Sequence, residues 1–317
     1  MTKAEAAAWL RAHDRYCILT HRNPDGDTIG CAAALCRGLR AMGKTAHMLD
    51  NIQFTARYAP YYEGLTKPAV EPGDTVISTD IAAESLLPYG EAAAQAGKIR
   101  FAVDHHGSNT RFAPNLYLDP NAAACGELIY GLLRELGVRL SGEIAQALYL
   151  AVSTDTGCFQ YSNTTSNTLR VAADLKDAGC DAYAVNKLFF GTKTLPRLQL
   201  ESRLTASMEL LAGGKVAICR LPLGWMEELG LTEDDVDSIA GFPRAVEGVE
   251  IGVMIRETPD GREKISMRTG EDYNASALCA RLGGGGHRAA AGATVDLGFA
   301  GAKATVLAAL RAEGVEV

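Results

Sequence analysis

The sequence predicts an α/β protein in two domains: a parallel-sheet N-terminal domain over residues 1–190, and a smaller mixed α/β C-terminal domain that follows a linker helix, over 191–317. Three observations lead there. Apolar runs at 16–20, 74–80 and 98–103 each end in an aspartate- or histidine-bearing segment, the pattern of parallel strands that present side chains at their C-terminal ends. At 317 residues and 47% hydrophobic, the chain exceeds one ordinary domain and has ample material for packed cores. The character then changes beyond Tyr161, and a break at Gly191–Pro196 precedes a second set of strand signals.

In chain order, an amphipathic helix is expected over 3–13, a strand over 16–20, and a helix over 28–42 with high Ala/Leu density. Between the last two lies His21-Arg-Asn-Pro24-Asp25-Gly26-Asp27, a histidine and two carboxylates within seven residues. Pro24 fixes its own φ and Gly26 permits a backbone conformation other residues avoid, so Asp25 and Asp27 can meet at one point while facing different ways. A divalent cation would relieve their repulsion, and a His beside Asp oxygens suits Mn²⁺, Mg²⁺ or Zn²⁺. A polar loop capping the next helix is the other reading, and at this point both stand.

A second strand follows at 45–49, in which His47 reads as structural, then an aromatic-rich helix or loop at 54–62. The strand at 74–80 ends on Asp80, by itself as readily a helix cap as a ligand. The strand at 98–103 runs into Asp104-His105-His106-Gly107, and two adjacent histidines at a strand end are hard to explain as packing. Helices are expected over 122–136 and 142–152, the second ending in Ser153-Thr-Asp155-Thr-Gly157. Each acidic terminus has an ordinary explanation alone; four of them at element ends in one half-chain point to a shared site.

Composition excludes several classes. No signal-like apolar region opens the chain and no run of about 18 uncharged apolar residues occurs, so a cytoplasmic protein with no membrane partner is expected. The eight cysteines form no Cys-x-x-Cys pair and read as buried thiols. A formal charge of −7 argues against coating long nucleic acid but not against a small phosphate substrate.

The order His21-x-Asn-Pro-Asp25-Gly-Asp27, Asp80, Asp104-His105-His106, Thr154-Asp155-Thr-Gly resembles the four motifs of the DHH phosphoesterase superfamily. Gly283-Gly284-Gly285-Gly286-His287-Arg-Ala-Ala-Ala-Gly292 resembles the glycine-rich signature of the DHH-associated domain. Together they cover about residues 16 to 296, and the short chain is most similar to the nanoRNase/pAp-phosphatase group. Cys31 stands where the family often has Ser, a change expected to leave the metal site undisturbed. The resemblance implies two divalent cations, Mn²⁺ first and Mg²⁺ second: one on His21, Asp25 and Asp80, the other on Asp27, Asp80, His105 and Asp155, with Asp80 bridging. It implies that Asp104 orients a histidine and that His106 faces the scissile phosphate. It also supports Arg268 and His287 as substrate contacts.

Beyond Tyr161, the expectations are a helix with N-cap candidates over 163–167 that runs to about 178 and a helix over 182–190, then, past the break, a helix over 197–211, a strand at 214–220, a short acidic helix at 233–239, and a hairpin of 250–257 with 263–268 around Pro259-Asp-Gly261. Gly283, Gly284, Gly285 and Gly286 read as a loop with uncovered amides, an anion nest beside His287, with Arg268 joining it. The expected function is metal-dependent hydrolysis of short oligoribonucleotides, with 3′-phosphoadenosine 5′-phosphate as a second substrate, bound in the cleft between the domains. The alternatives are hydrolysis of a linear or cyclic dinucleotide or of pyrophosphate, and a catalytically silent nucleotide-binding regulator. The complete ligand set speaks against the last. Partners are short RNA and small nucleotides, not long duplex nucleic acid, and a homodimer is left open.

Overall fold

The run Tyr-Cys-Ile-Leu is buried along its whole length, and as a strand it sends alternate side chains to opposite faces. Tyr16 and Ile18 enter one apolar cluster, Cys17 and Leu19 another. That two-sided burial is what a central parallel strand requires. The computed structural model describes every residue from Met1 to Val317 except Asp237 and His287. The chain divides into two compact units, Met1–Thr192 and Lys193–Val317.

In the first unit six strands form one sheet: β1 (Tyr16–Leu19), β2 (Ala46–Leu49), β3 (Thr66–Lys67), β4 (Thr75–Thr79), β5 (Phe101–Asp104) and β6 (Asn115–Leu118). Their order is β3-β2-β1-β4-β5-β6 and every pairing is parallel. The order turns back between β1 and β4, and ligands of open α/β sheets gather beyond the strand ends at such a point. Helices α1 (Lys3–Ala12), α2 (Gly26–Ala41), α3 (Ala59–Tyr62), α4 (Cys125–Glu135), α5 (Gly142–Asp155), α6 (Ser166–Asp177) and α7 (Ala182–Asn186) complete the unit. Their starts are written locally: Thr2 with Glu5 makes a capping box on α1, and Asp25, Ser141 and Thr165 cap α2, α5 and α6.

Helix α2 can lie close against α5 because Gly30 faces it. A Cβ there would stand 2.3 Å from the Ala147 carbonyl oxygen. The sheet's other face is covered by residues 81–99, whose regular pieces are single 3₁₀ turns at Glu84–Leu86 and Ala93–Gln95.

The second unit holds a mixed sheet in the order β11-β12-β10-β9-β8-β7. Its strands are β7 (Glu209–Leu211), β8 (Val216–Leu221), β9 (Ile251–Glu257), β10 (Glu263–Thr269), β11 (Gly285–Gly286) and β12 (Ala290–Val295). Its helices are α8 (Leu195–Ser207), α9 (Leu223–Leu229), α10 (Glu233–Val236), α11 (Ala275–Ala280) and α12 (Gly298–Ala312). The hairpin of β9 and β10 closes through Thr258 N–H to the Arg262 carbonyl at 2.8 Å, with Gly261 at φ +79°.

Two helices of the second unit stop short of expectation. The helix expected over 197–211 starts two residues earlier and stops at Ser207, because Met208 turns to extended backbone and Glu209–Leu211 pairs with β8. The acidic helix expected over 233–239 ends at Val236, and Ser238 has left-handed backbone.

Candidate metal centre

The first loop caps the next helix, and its capping carboxylate also lies beside a histidine. Asp25 caps α2, its Oδ1 accepting the amides of Asp27 at 3.0 Å and Thr28 at 3.1 Å, and the same oxygen lies 3.6 Å from His21 Nε2. Gly26 serves a different purpose from the one expected. It has ordinary negative φ, and a Cβ would stand 2.5 Å from the Thr154 side chain, so the glycine lets the loop approach the end of α5. Asn51, missed in the sequence, fixes the loop by donating Nδ2 to the His21 carbonyl at 3.0 Å and to Thr20 Oγ1 at 3.1 Å.

Asp80 follows β4 in left-handed backbone, φ +59°, with a side chain only 3% exposed. It stands between two histidines: Oδ2 is 3.6 Å from His21 Nε2 and Oδ1 is 3.6 Å from His105 Nε2. His105 Nε2 also lies 3.3 Å from Asp155 Oδ2 and 3.8 Å from Asp27 Oδ2. Asp27 sits on the start of α4 and accepts the amides of Cys125 at 2.7 Å and Gly126 at 2.9 Å, as a carboxylate at a helix N-terminus does. Cys31, expected to leave the site untouched, reaches it: its thiol donates to Asp27 Oδ1 at 3.1 Å. Asp104 is fully buried and accepts from the His105 amide at 2.8 Å, His106 Nδ1 at 2.7 Å and Asn109 Nδ2 at 2.6 Å. Asn109, three residues after His106, was also missed.

These side chains form three overlapping sets whose ligand atoms lie within 4.8 Å of one another, His21/Asp25/Asp80, Asp27/His105/Asp155 and Asp80/His105/His106. The donors suit a cation. His21 Nδ1 bonds the Arg22 carbonyl and His105 Nδ1 the Ala122 carbonyl; a neutral ring with its proton on Nδ1 turns its Nε2 lone pair toward the carboxylate oxygens. Lone pairs facing lone pairs need positive charge between them, and Asp80 Oδ1 is buried with no hydrogen-bond partner. In the metal-free chain protons answer the same demand. Burial, then the Asp80 and Asp155 carboxylates, push Asp27 well above its ordinary value. Burial pushes Asp155 up to about 7, Asp80 and Asp25 adding to it against His105. For His106, burial acts downward, but the Asp104 hydrogen bond and the Asp80 charge outweigh it and raise the ring to about 9.

In the second unit, Arg268 occupies β10 opposite Gly252 and Ala290, and its Nη1 donates to the Met267 carbonyl at 3.0 Å. The glycine run is less open than the expected nest. Gly283 and Gly284 donate to the Ala280 and Cys279 carbonyls at 3.1 and 2.9 Å, and Gly285–Gly286 pairs with β12. A Cβ on Gly284 would stand 2.1 Å from the Gly292 carbonyl oxygen, so close backbone approach by β12 already explains that glycine. His287 lies outside the described residues.

The "DHH family, N-terminal domain" pattern matches residues 15–152 and the "DHHA1 domain" pattern residues 213–313. The chain is 35% identical to the "Bifunctional oligoribonuclease and PAP phosphatase NrnA" of Thermus thermophilus, over 93% of this chain and 89% of that one. It is 27% identical to the "Cyclic-di-AMP phosphodiesterase GdpP" of Geobacillus thermodenitrificans, over 86% of this chain but 44% of that one. The crystal structure of an exopolyphosphatase-related protein from Bacteroides fragilis superposes with a TM-score of 0.86 at 22% identity, covering 98% and 95% of the two chains, which shows the shared fold. With two family domains in order and a close relative aligned over nearly its whole length, the chain belongs to the DHH family, carries a DHHA1 domain behind the DHH domain, and is a phosphoesterase.

Proposed function

We propose that this phosphoesterase hydrolyses short oligoribonucleotides and removes phosphate from 3′-phosphoadenosine 5′-phosphate, using two divalent cations, Mn²⁺ in preference to Mg²⁺. The observation that carries the metal requirement is the pair of histidines whose Nε2 atoms face a carboxylate cluster built on the buried Asp80. We assign one ion to His21, Asp25 and Asp80, and the other to Asp27, Asp80, His105 and Asp155. When bound, such a pair polarises the phosphoryl group and makes a water acidic enough to deprotonate near neutral pH.

The remaining work falls to the chain's own groups. Asp104, held by three donors, fixes the His106 ring through Nδ1. His106 then hydrogen-bonds the scissile phosphate and passes a proton to the leaving oxygen. Arg268, Gly283, Gly284, Gly285, Gly286 and His287 are assigned to substrate contacts in the second unit. The substrate class rests on the relative that is 35% identical and bears those two activities in its name. A second reading, a dinucleotide phosphodiesterase, rests on the cyclic-di-AMP phosphodiesterase, of which the chain spans less than half.

All eight cysteines are free, which supports a reducing compartment, and we place the protein in the cytoplasm. Among the described residues no helix is long and apolar enough to cross a membrane. The test is a panel of pAp, pApA, cyclic-di-AMP and pyrophosphate with Mn²⁺ or Mg²⁺ added. Turnover of pAp and pApA above the other two is expected; preference for cyclic-di-AMP or pyrophosphate would overturn the assignment.

A further inference from the structure

We propose that Cys17, His47 and Asp74 form a second, structural metal site, suited to a thiophilic divalent cation such as Zn²⁺, at the end of the first sheet opposite the candidate active site. Cys17 is the second residue of β1 and pairs in register with His47, the second residue of β2. Asp74 immediately precedes β4, whose first residue, Thr75, pairs with Tyr16. The three residues therefore enter the sheet's three adjacent strands β2, β1 and β4 from their N-terminal ends. The active-site residues follow the other ends: Asp80 lies six residues beyond Asp74, roughly 20 Å along a strand. The site owes nothing to the reading of the substrate.

The side chains meet on the face covered by the 3₁₀ turns. One ligand atom from each lies within 4.8 Å of the others, and His47 Nε2 is 3.4 Å from Asp74 Oδ2. Ligands about 2.0 Å from a tetrahedral ion stand roughly 3.3 Å apart along an edge, so that separation needs little adjustment. A sulfur, an imidazole nitrogen and one carboxylate oxygen favour Zn²⁺ over the Mn²⁺ or Mg²⁺ of an oxygen-rich site.

The independent sign of a ligand is unsatisfied polarity. His47 is 1% exposed and neither ring nitrogen has a hydrogen-bond partner; Asp74 Oδ1 has none either. A buried polar atom without a partner costs about 1–3 kcal/mol, and native cores pair such groups. Burial keeps His47 neutral and so ready to ligate, and it pushes the Cys17 thiol up to about 12, so that thiol stays protonated until a cation displaces the proton. Thiolate, carboxylate and dication together carry no net charge, which suits a buried position. Neighbouring groups hold the carboxylate in place: the Glu71 amide donates to Asp74 Oδ2 at 2.8 Å, and Arg15 Nη2 lies 3.6 Å from Oδ1. A fourth position falls to water or to the Glu71 carboxylate, which here pairs with Lys67 at 2.8 Å. Such an ion would tie β2 and β1 to the turn that enters β4.

The test uses the full chain, stripped by chelator and titrated with Co²⁺ alone. A near-ultraviolet thiolate charge-transfer band saturating at one ion per chain is expected. It should vanish in Cys17→Ser and persist in Cys31→Ser, the other thiol beside a carboxylate. Equilibrated with Zn²⁺, Cys17→Val, which refills the apolar position, and His47→Gln should each hold one ion fewer than wild type while keeping Mn²⁺-dependent hydrolysis, which reports an intact fold. No thiolate band in the wild type, a band surviving Cys17→Ser, or unchanged zinc content in His47→Gln would each overturn the proposal.

Discussion

Asp80→Asn should make the metal-free protein more stable and the enzyme nearly inactive. The side chain is 3% exposed, its Oδ1 has no hydrogen-bond partner, and it lies near the Asp27 and Asp155 carboxylates as well as between two histidines. A buried acceptor left in that state costs about 1–3 kcal/mol, and asparagine removes the charge while tolerating the left-handed backbone at φ +59°. For a unit of this size about 2–4 °C of melting temperature accompanies each kcal/mol, so a rise of roughly 2–12 °C is expected in chelator. With Mn²⁺ at about 100 times its dissociation constant, the wild type should gain about 2.7 kcal/mol per ion, and the variant much less, reversing the order. Turnover should fall at least about 10³-fold, equivalent to about 4 kcal/mol of barrier. Calorimetry with and without Mn²⁺, beside initial rates on pApA, reads all three. A metal-free variant less stable than wild type, or turnover within tenfold of it, would refute the assignment of Asp80 as a bridge.

His106→Ala should lower turnover by about 10²–10⁴-fold with bound metal unchanged; loss of an ion per chain in elemental analysis would show His106 to be a ligand instead. Asn109→Ala removes one of the three donors on Asp104 and should lower turnover by about tenfold, near 1.4 kcal/mol, with metal content again unchanged. Gly30→Ala must force a Cβ against the Ala147 carbonyl oxygen, so denaturant titration should show a loss of about 1–3 kcal/mol or more. On the proposed substrate class, hydrolysis should be fastest on RNAs of about two to four nucleotides and fall steeply by about 20, because a chain of net charge −7 offers little attraction to a longer backbone. Equal or faster cleavage of a labelled 24-mer (about the length needed) at equal concentration of ends would favour a processive nuclease.

The central strands were legible because β1, β4 and β5 are apolar and each ends at a side chain of the site, a pattern that needs no partner to be seen. Strand β6, Asn115–Leu118, is only half-buried and opens on a polar residue, and β3 is two residues long, so neither carries a periodic signal. Helix α8 was drawn too long because Glu209–Leu211 has the composition of either state, and only the ladder to β8 decides. The same limit applies around the site. His21, Asp25, Asp27, Asp80, His105 and Asp155 announce themselves at element ends, but Asn51, Cys125 and Asn109 act through contacts that the fold supplies. His47, read as structural from its apolar run, is buried without a hydrogen-bond partner on either nitrogen, which no sequence pattern reveals.

The seat of Asp27 on the first two amides of α4 bears on how the enzyme would exchange its ions. Those amides hold both carboxylate oxygens in the metal-free chain, and Asp25 is likewise anchored by the start of α2. An ion arriving at the proposed site would meet oxygens already aimed, so capture would turn on dehydration of the ion and loss of the Asp27 proton more than on motion of a loop.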